Sequence, residues 1–257
     1  MLFGLKALLI VLITLPTVIL VLSLAPFDRD GKFAYRFTRF WTWSILKIGG
    51  IRLRTQGLEL LDPERPYVFM ANHRSNIDVP VLVQSLPGFQ LRWMAKKEVL
   101  RVPLFGLALL ASRHIIVDRS DRSKAMASLR RAREMIKKGI SVAFFPEGTR
   151  STSDQLLPFK RGGFVLAVKT GAPIVPVTIK GSRSVLPRGD WRLRGGEIRV
   201  IVGEPIVVDQ RRSGTLRSLV NQVRGIMESH SRQNGATTPD SSKCEPTAAT
   251  EETLRQR

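Results

Sequence analysis

Beyond Gly49-Gly50 the chain alternates short apolar runs rich in strand formers with longer stretches of helical periodicity. The predicted strands are 51–55, 67–71, 91–95, 114–117, 142–145, 174–179 and 198–202. The predicted helices between and after them are 79–86, 99–112, 121–138, 162–170 and 215–229. Such alternation predicts an α/β fold, a largely parallel central sheet flanked by helices. In open sheets of this kind the chemistry lies beyond the carboxyl ends of the strands.

The amino-terminal region predicts a membrane-associated two-helix motif. Residues 7–25 carry no charge and would extend about 28 Å as a helix, close to the thickness of the bilayer hydrocarbon. Residues 33–48 mix aromatic and cationic side chains, as is typical of an interfacial helix. A cleaved secretory signal is the other interpretation, and Pro26 beside the candidate cleavage site argues against it. Cations concentrate after the apolar run, which predicts an inner-membrane protein with its body in the cytoplasm.

Composition narrows the class of partner and of chemistry. A net charge of +20 calls for an anionic partner: nucleic acid, anionic lipid or a phosphorylated substrate. The only cysteine, Cys244, lies in a polar stretch, which argues against a disulfide framework, a cysteine metal site or a cysteine nucleophile. These features predict three regions: membrane-associated helices at 1–50, an α/β domain at 51–229 and a disordered tail at 230–257.

The stretch from Asn72 to Asp78, N-H-R-S-N-I-D, follows a predicted strand and begins a predicted helix. With His73 in the turn, Asp78 can accept the proton on Nδ1 and leave Nε2 free as a general base. The same pattern, Ser75-x-x-Asp78, also fits a capping box that only fixes the start of the helix. Both interpretations remain open at this stage.

Other turns bring charged side chains to the same predicted edge. The sequence F-F-P-E-G-T-R-S at 144–151 predicts a tight turn that projects Glu147 and Arg150. Arg119 follows the strand 114–117 and would join Arg150 in gripping a phosphate. Residues 160–163, Lys-Arg-Gly-Gly, predict either a phosphate cradle or a basic loop. Pro176 inside a strand pattern predicts an edge strand or a bulge that borders a groove.

Four ordered blocks resemble the membrane-bound glycerolipid acyltransferases, especially the bacterial type of 1-acyl-sn-glycerol-3-phosphate acyltransferase. The blocks are N-H-R-S-N-I-D at 72–78, I-I-V-D-R at 115–119, F-P-E-G-T-R-S at 145–151 and V-P-V at 175–177. The second block departs from the family pattern, because Ser-Arg-His stands at 112–114 where glycine and a further apolar residue usually precede an aromatic.

The resemblance implies a reaction and a role for individual residues. His73 is implied as the general base and Asp78 as the residue that orients it. The implied substrate-binding residues are Lys96 or Lys97, Arg119, Glu147, Gly148, Thr149, Arg150 and, bordering the acyl groove, Pro176. The reaction would acylate the sn-2 hydroxyl of lysophosphatidic acid at a membrane lipid surface, with acyl carrier protein or coenzyme A thioester as donor. No cofactor and no metal are expected.

Several alternatives are compatible with the same sequence. The acceptor could be another lysolipid, such as a lyso-ornithine lipid, or glycerol 3-phosphate, since charge and motif order do not separate these. The apolar run 99–111 would line the acyl channel or belong to the ordinary core. A membrane-tethered nucleic-acid binder would also explain the charge, but no nucleic-acid-binding motif supports it. No G-x-S-x-G motif supports a serine hydrolase.

Overall fold

The computed structural model describes residues 2–102, 104–118, 121–209 and 215–232. Its seven strands form one sheet in the order β1-β7-β6-β2-β5-β3-β4. The strands are β1 Ile51–Gln56, β2 Val68–Ala71, β3 Leu91–Lys96, β4 Ile115–Val117, β5 Ser141–Phe144, β6 Ile174–Lys180 and β7 Gly196–Val202. Neighbouring strands run parallel except for β6 and β7. The predicted α/β fold with a largely parallel sheet is therefore confirmed.

Eight α-helices accompany the sheet in the described part of the chain. They are α1 Leu2–Leu24, α2 Lys32–Gly49, α3 Asp78–Ser85, α4 Phe105–Ala111, α5 Arg122–Lys137, α6 Gly162–Thr170, α7 Ser182–Val185 and α8 Thr215–Arg232. The single helix predicted at 99–112 is wrong. A 3₁₀ turn at Lys97–Arg101 is separated from α4 because Leu104 has φ +60°, a conformation that no right-handed helix can continue through.

Two apolar cores lie on opposite faces of the sheet. One face packs β2 and β3 against α2 and α3, with Phe69, Leu82 and Leu91 fully buried. The other face packs against α5, α6 and α8, with Phe164 and Val223 fully buried. Strands that are covered on both faces carry mainly apolar side chains. Their sequences are therefore nearly continuous hydrophobic runs.

Pro176 lies in an internal strand, so the predicted edge strand is wrong. β6 pairs with β2 on one side and with β7 on the other. The β6–β7 ladder begins at the pair Val177 and Val202, and the chain then leaves it until the isolated bridge between Ile174 and Ile206. Pro176 faces this interruption, where its carbonyl accepts the N–H of Gly203 at 2.8 Å. A missing N–H is tolerated there because the partner chain has already left the ladder.

Both ends of α1 are fastened to the rest of the protein. Near its start, Lys6 Nζ donates to the carbonyls of Gly49 at 2.9 Å and Leu193 at 3.2 Å. Just beyond its end, the carbonyl of Ala25 accepts the guanidinium of Arg113 at 3.3 Å. α1 is the one helix in the described ranges that is long and apolar enough to cross a membrane. Hydrogen bonds near both ends of α1 therefore attach this helix to α2 and to the α/β body.

A buried cation fixes the turn that joins α1 to α2. Arg92 on β3 is fully buried and donates to the carbonyl of Asp30 at 2.5 Å. Burial lowers the pKa of Arg92 to about 10, against the opposing effect of Tyr35 and the acidic residues of the turn. Lys138 forms a second link, an ion pair of 2.9 Å with the Asp30 carboxylate.

The carboxyl end of the described chain is helical. α8 ends at Arg232, so the first residues of the region predicted as a disordered tail are helical. The remaining part of that region, 233–257, lies outside the described residues.

Candidate active site

His73 and Asp78 meet at the carboxyl end of β2. His73 occupies the turn before α3, and Asp78 is the first residue of that helix. Nδ1 of His73 lies 2.9 Å from Oδ2 of Asp78. The Asp78 side chain is 0% exposed and that of His73 is 17% exposed. The pair therefore joins a buried carboxylate to a ring with access to the outside.

Asp78 binds both the turn before the helix and the ring of His73. Its Oδ2 also accepts the backbone N–H groups of Arg74 at 2.7 Å and Ser75 at 2.8 Å. An oxygen that accepts two amide protons is an acceptor toward the imidazole as well, so Nδ1 carries the proton and Nε2 presents its lone pair. The histidine–aspartate contact is therefore present, whereas only half of the capping box forms: Asp78 accepts the N–H of Ser75, but the Ser75 hydroxyl accepts the N–H of Ile77 and not that of Asp78.

The other polar side chains of this turn attach it to its neighbours. Asn72 pairs with the backbone of Ile179 on β6, donating to its carbonyl at 3.0 Å and accepting its N–H at 2.7 Å. Arg74 is buried and donates to the carbonyl of Asp154 at 2.5 Å. The Ser75 hydroxyl donates to the carbonyl of Leu186 at 2.6 Å. The position of the imidazole is therefore set from several sides.

The turn after β5 holds the backbone of His73 at both of its polar groups. The His73 N–H donates to Oε1 of Glu147 at 2.7 Å. The His73 carbonyl accepts the N–H of Ser151 at 2.8 Å. Gly148 allows the turn to close, since it has φ +68° and its N–H bonds to the carbonyl of Phe145.

The Glu147 carboxylate serves the backbone, although the resemblance implied that it binds substrate. Its second oxygen accepts the N–H of Leu157 at 2.9 Å, and the residue is 2% exposed. Burial raises the pKa of Glu147, while the hydrogen bonds from Leu157 and His73 oppose the rise. Glu147 thus links two turns from within the protein and does not line the cavity described below.

Aromatic rings support the face of the imidazole. Phe145 stacks on His73 with ring centroids 3.9 Å apart and an angle of 8° between the planes. Trp93 also stacks on Phe145, with ring centroids 5.3 Å apart. This column restricts rotation of the imidazole about its side-chain bonds, so that Nε2 keeps one direction.

A cavity of about 860 Å³ opens beside His73. Its apolar wall comes from the amino-terminal helices and the segment around α4. These residues are Ile10, Val18, Val21, Trp41, Ile45, Val99, Val102, Phe105, Ala108 and Leu109. The run 99–111 therefore contributes to the cavity wall, as one of its two interpretations predicted. A space of this size and lining suits a molecule with a long apolar part.

Cationic side chains lie on the same cavity. Of the predicted substrate-binding residues, Lys96, Gly148, Thr149 and Arg150 line it together with His73. Lys97 does not line the cavity and instead forms an ion pair of 3.0 Å with Asp118. Pro176 is absent from the lining as well. Arg119 lies outside the described residues.

The Lys-Arg-Gly-Gly segment at 160–163 does not contribute to this cavity. A Cβ on Gly163 would come within 2.2 Å of the Phe144 ring. Glycine is therefore required at that position for close packing of α6 against β5. Packing therefore explains one of the two glycines, and no role in binding phosphate is needed to explain it.

Other cavity residues had no signal in the sequence. Leu186, Asp190, Trp191 and Leu193, from the segment between α7 and β7, complete the wall. His114 also lines it, and the Nδ1 of its ring accepts the N–H of Trp93 at 3.2 Å. Contacts across more than a hundred residues of chain leave no local pattern of periodicity or spacing, so only the fold reveals them.

Known proteins resemble this chain in sequence and in fold. The profile of the Acyltransferase family matches residues 52–180. A chloroplast 1-acyl-sn-glycerol-3-phosphate acyltransferase of Brassica napus is 37% identical over 70% of this chain and 52% of its own length. The 1-acyl-sn-glycerol-3-phosphate acyltransferase of Pseudomonas aeruginosa is 35% identical over 71% of this chain and 70% of its own length. The chain thus spans about half the length of its chloroplast relative.

A solved structure extends the likeness in fold. The crystal structure of the 1-acyl-sn-glycerophosphate acyltransferase of Thermotoga maritima superimposes with a TM-score of 0.71, covering 91% of this chain and 98% of that one at 24% identity. The matched profile contains the turns that carry His73, Asp78 and Arg150. This chain belongs to the acyltransferase family.

Proposed function

We propose that the protein transfers a fatty acyl group from a thioester to the free sn-2 hydroxyl of 1-acyl-sn-glycerol 3-phosphate, forming phosphatidic acid. The observation that carries the proposal is the buried Asp78 carboxylate, which holds the proton on Nδ1 of His73 beside a cavity with an apolar wall and cationic residues. The names of the curated relatives support the same activity.

In the proposed reaction Nε2 of His73 accepts the proton of the acceptor hydroxyl as the oxygen attacks the thioester carbonyl. The negative charge of Asp78 stabilises the imidazolium that forms, 2.9 Å away. The tetrahedral oxyanion then collapses with loss of the thiolate, and the imidazolium returns its proton to that sulfur. Base and acid are therefore the same residue, and no covalent acyl-enzyme is needed.

The apolar wall and the cations suggest how the substrates would be arranged. Acyl chains are suited to the wall formed by α1, α2 and α4, where Trp41 and Phe105 are in aromatic contact at 6.2 Å. Lys96 and Arg150 are suited to the phosphate, since an arginine can form two parallel bonds to phosphate oxygens. Arg119 is retained as a proposed phosphate ligand on the resemblance alone.

The decisive experiment measures transfer of labelled acyl groups by the protein purified in detergent. Lysophosphatidic acid, lyso-ornithine lipid and glycerol 3-phosphate are compared as acceptors, each with an acyl carrier protein and a coenzyme A thioester as donor. We expect transfer to lysophosphatidic acid, and we expect Arg150→Ala to raise the KM for that acceptor more than it lowers kcat. Transfer only to an acceptor without phosphate would overturn the assignment of the acceptor.

We further propose that the amino-terminal helices hold the protein on one leaflet, with its body in the cytoplasm. Exposed apolar side chains lie on α1, α2 and α4, the three helices that also contribute to the cavity wall: Leu5, Leu8, Leu12, Leu15, Ile19, Phe33, Phe40, Trp43, Leu107 and Leu110. Bonds from Lys6 and to Ala25 attach both ends of α1 to the body. Such attachment favours a helix lying in the plane of the interface over one that crosses the bilayer.

Cysteine labelling distinguishes these two arrangements. In a Cys244→Ser background, Gly4→Cys introduces a thiol where the added Cβ has no neighbour within 4 Å. For a helix in the plane, a membrane-impermeant maleimide labels Gly4→Cys only from the side that also labels exposed Ser184→Cys on the body. Labelling of the two variants from opposite sides would contradict the proposal.

A further inference from the structure

The segment between α7 and β7 carries an arginine that contacts the turn after β5. Nη1 of Arg188 donates to the carbonyl of Arg150 at 3.2 Å. Arg188 is exposed, and residues on either side of it, Leu186 and Asp190, line the cavity. A cationic side chain is thus held at the rim of the cavity by a bond to the backbone of a cavity residue.

Arg188 differs from Arg183 in α7 and from the other arginines of its own segment. Arg183 pairs with Asp154 at 3.1 Å, and Arg192 and Arg194 pair with Asp190 at 3.1 and 2.7 Å. Within the part of the chain that the structure describes, Arg188 has a carbonyl as its partner and no carboxylate, and the Arg150 side chain has no carboxylate either. Two guanidinium groups without a counter-ion therefore belong to adjoining parts of this rim.

One peptide unit connects Arg188 with His73. The carbonyl of Arg150 accepts from Arg188, and the N–H of the same peptide, on Ser151, donates to the carbonyl of His73 at 2.8 Å. The oxygen and nitrogen of a peptide unit are separated by about 2.3 Å, so Nη1 of Arg188 lies within about 8 Å of the His73 carbonyl oxygen. The guanidinium is therefore tied, through one peptide unit, to the turn that carries the imidazole.

We propose that Arg188 is a further substrate-binding residue, which binds the phosphate of the lysolipid acceptor together with Arg150. The inference rests on the proposed function and deepens it, since it assigns part of the acceptor specificity to a segment outside the four sequence blocks. The bond to the Arg150 carbonyl uses one N–H of the guanidinium and leaves the others to bind phosphate oxygens. An anion at this rim would also neutralise the two unpaired charges.

The test compares Arg188→Gln with Arg183→Gln, a matched loss of one arginine from the neighbouring helix α7. Acyl transfer is measured to 1-acyl-glycerol 3-phosphate and to 1-monoacylglycerol, which lacks the phosphate. We expect Arg188→Gln to raise the KM for the phosphorylated acceptor about 10-fold, the size typical of a lost bond to a charged group, and to leave transfer to the monoacylglycerol unchanged. Arg183→Gln should leave both unchanged, and Arg188→Lys should recover part of the loss.

Two results would overturn the inference. One is an unchanged KM for the phosphorylated acceptor in Arg188→Gln. The other is an equal fall in kcat for both acceptors at unchanged KM, which would mark Arg188 as a support of the turn only.

Direct binding separates failure of this inference from failure of the proposed function. The affinity for 1-acyl-glycerol 3-phosphate in mixed micelles is measured by calorimetry and requires no turnover. If the wild-type protein transfers no acyl group to this lipid, the proposed function fails. Weaker binding by Arg188→Gln than by Arg183→Gln would still support the phosphate contact, and equal binding would refute it.

Discussion

Two histidines line the same cavity in opposite electrostatic settings. Nδ1 of His73 faces an acceptor, the Asp78 carboxylate, whereas Nδ1 of His114 faces a donor, the N–H of Trp93. His73 therefore carries its proton on Nδ1 and His114 carries it on Nε2. Of these two rings, only that of His73 is paired with a carboxylate, as the proposed general base requires.

Burial widens the difference between the two rings. Desolvation, with the nearby charge of Arg92 as a second cause, lowers the pKa of His114 to about 3. His114 is thus neutral across the physiological range and cannot hold a transferred proton. A position on the cavity is consequently not a sufficient criterion for proposing a general base, because the hydrogen-bond partner and the burial of the ring decide its protonation.

The largest expected effect comes from His73→Ala, with His114→Asn as its matched control. Removing the proposed base should lower kcat by about 10²- to 10⁴-fold. The asparagine oxygen in His114→Asn can still accept the N–H of Trp93, so kcat should change less than about threefold. Initial rates of acyl transfer test this contrast. Comparable losses in the two variants would remove the distinction between the histidines.

Asp78→Asn sharpens the comparison by changing the partner and keeping the ring. The neutral side chain would no longer stabilise the imidazolium. Its NH₂ group would take the place of Oδ1, an atom that is buried without a hydrogen-bond partner among the described residues. We expect kcat to fall by about 10²-fold and the protein to lose about 1–3 kcal/mol of stability. Rates and unfolding midpoints, measured on the same preparation, separate the two effects. Full activity would argue against the Asp78 role.

Glu147→Gln tests how far the backbone clamp on His73 matters. A glutamine oxygen can accept one of the two backbone N–H groups. The glutamine NH₂ group would face the other N–H, so that two donors meet without an acceptor. We expect kcat to fall about 10-fold with little change in the KM for the acceptor, since the residue does not line the cavity. A selective rise in KM would instead restore Glu147 as a substrate-binding residue.

The last effect is on stability, leaves catalysis aside and follows from His114. Its folded pKa of about 3 lies below the unfolded value of 6.5, so the unfolded state binds the proton first. Stability should fall as the pH drops from 6.5 toward 3, by up to about 1.4 kcal/mol per pH unit.

Denaturant unfolding of wild type and His114→Asn between pH 5 and 7.5 measures this slope. The difference between the two proteins cancels the contributions of Glu147, whose pKa is raised, and His230, whose pKa is lowered. A parallel pH dependence in both proteins would contradict the neutral, buried state of His114.

Local patterns in the sequence predicted the fold and the centre of the site. Alternating apolar runs located every strand of the sheet, and the five-residue spacing of His73 and Asp78 identified a pair that lies 2.9 Å apart. These features succeed because periodicity and short turns are encoded by neighbours in the chain. The roles of the individual residues in catalysis and binding stay predictions.

Features that depend on distant contacts were missed. The resemblance implied that Glu147 binds substrate, and nothing local in the sequence indicated that its carboxylate would accept the N–H groups of His73 and Leu157. Pro176 correctly indicated an interruption of the strand pairing. It did not indicate that β6 has a strand on both sides, because strand order is set by packing of the whole sheet. Arg188 reaches Arg150 across 38 residues of chain.

The bond from Lys6 to Leu193 spans 187 residues and has a consequence for biosynthesis. At about 5–20 residues per second, a ribosome that has made Lys6 needs roughly 10–40 s to reach Leu193. Throughout that interval α1 has an apolar surface and an unfinished docking site. Lipid can shelter the helix while the rest of the chain is made, so the bilayer would act as a chaperone for the segment that later closes the cavity.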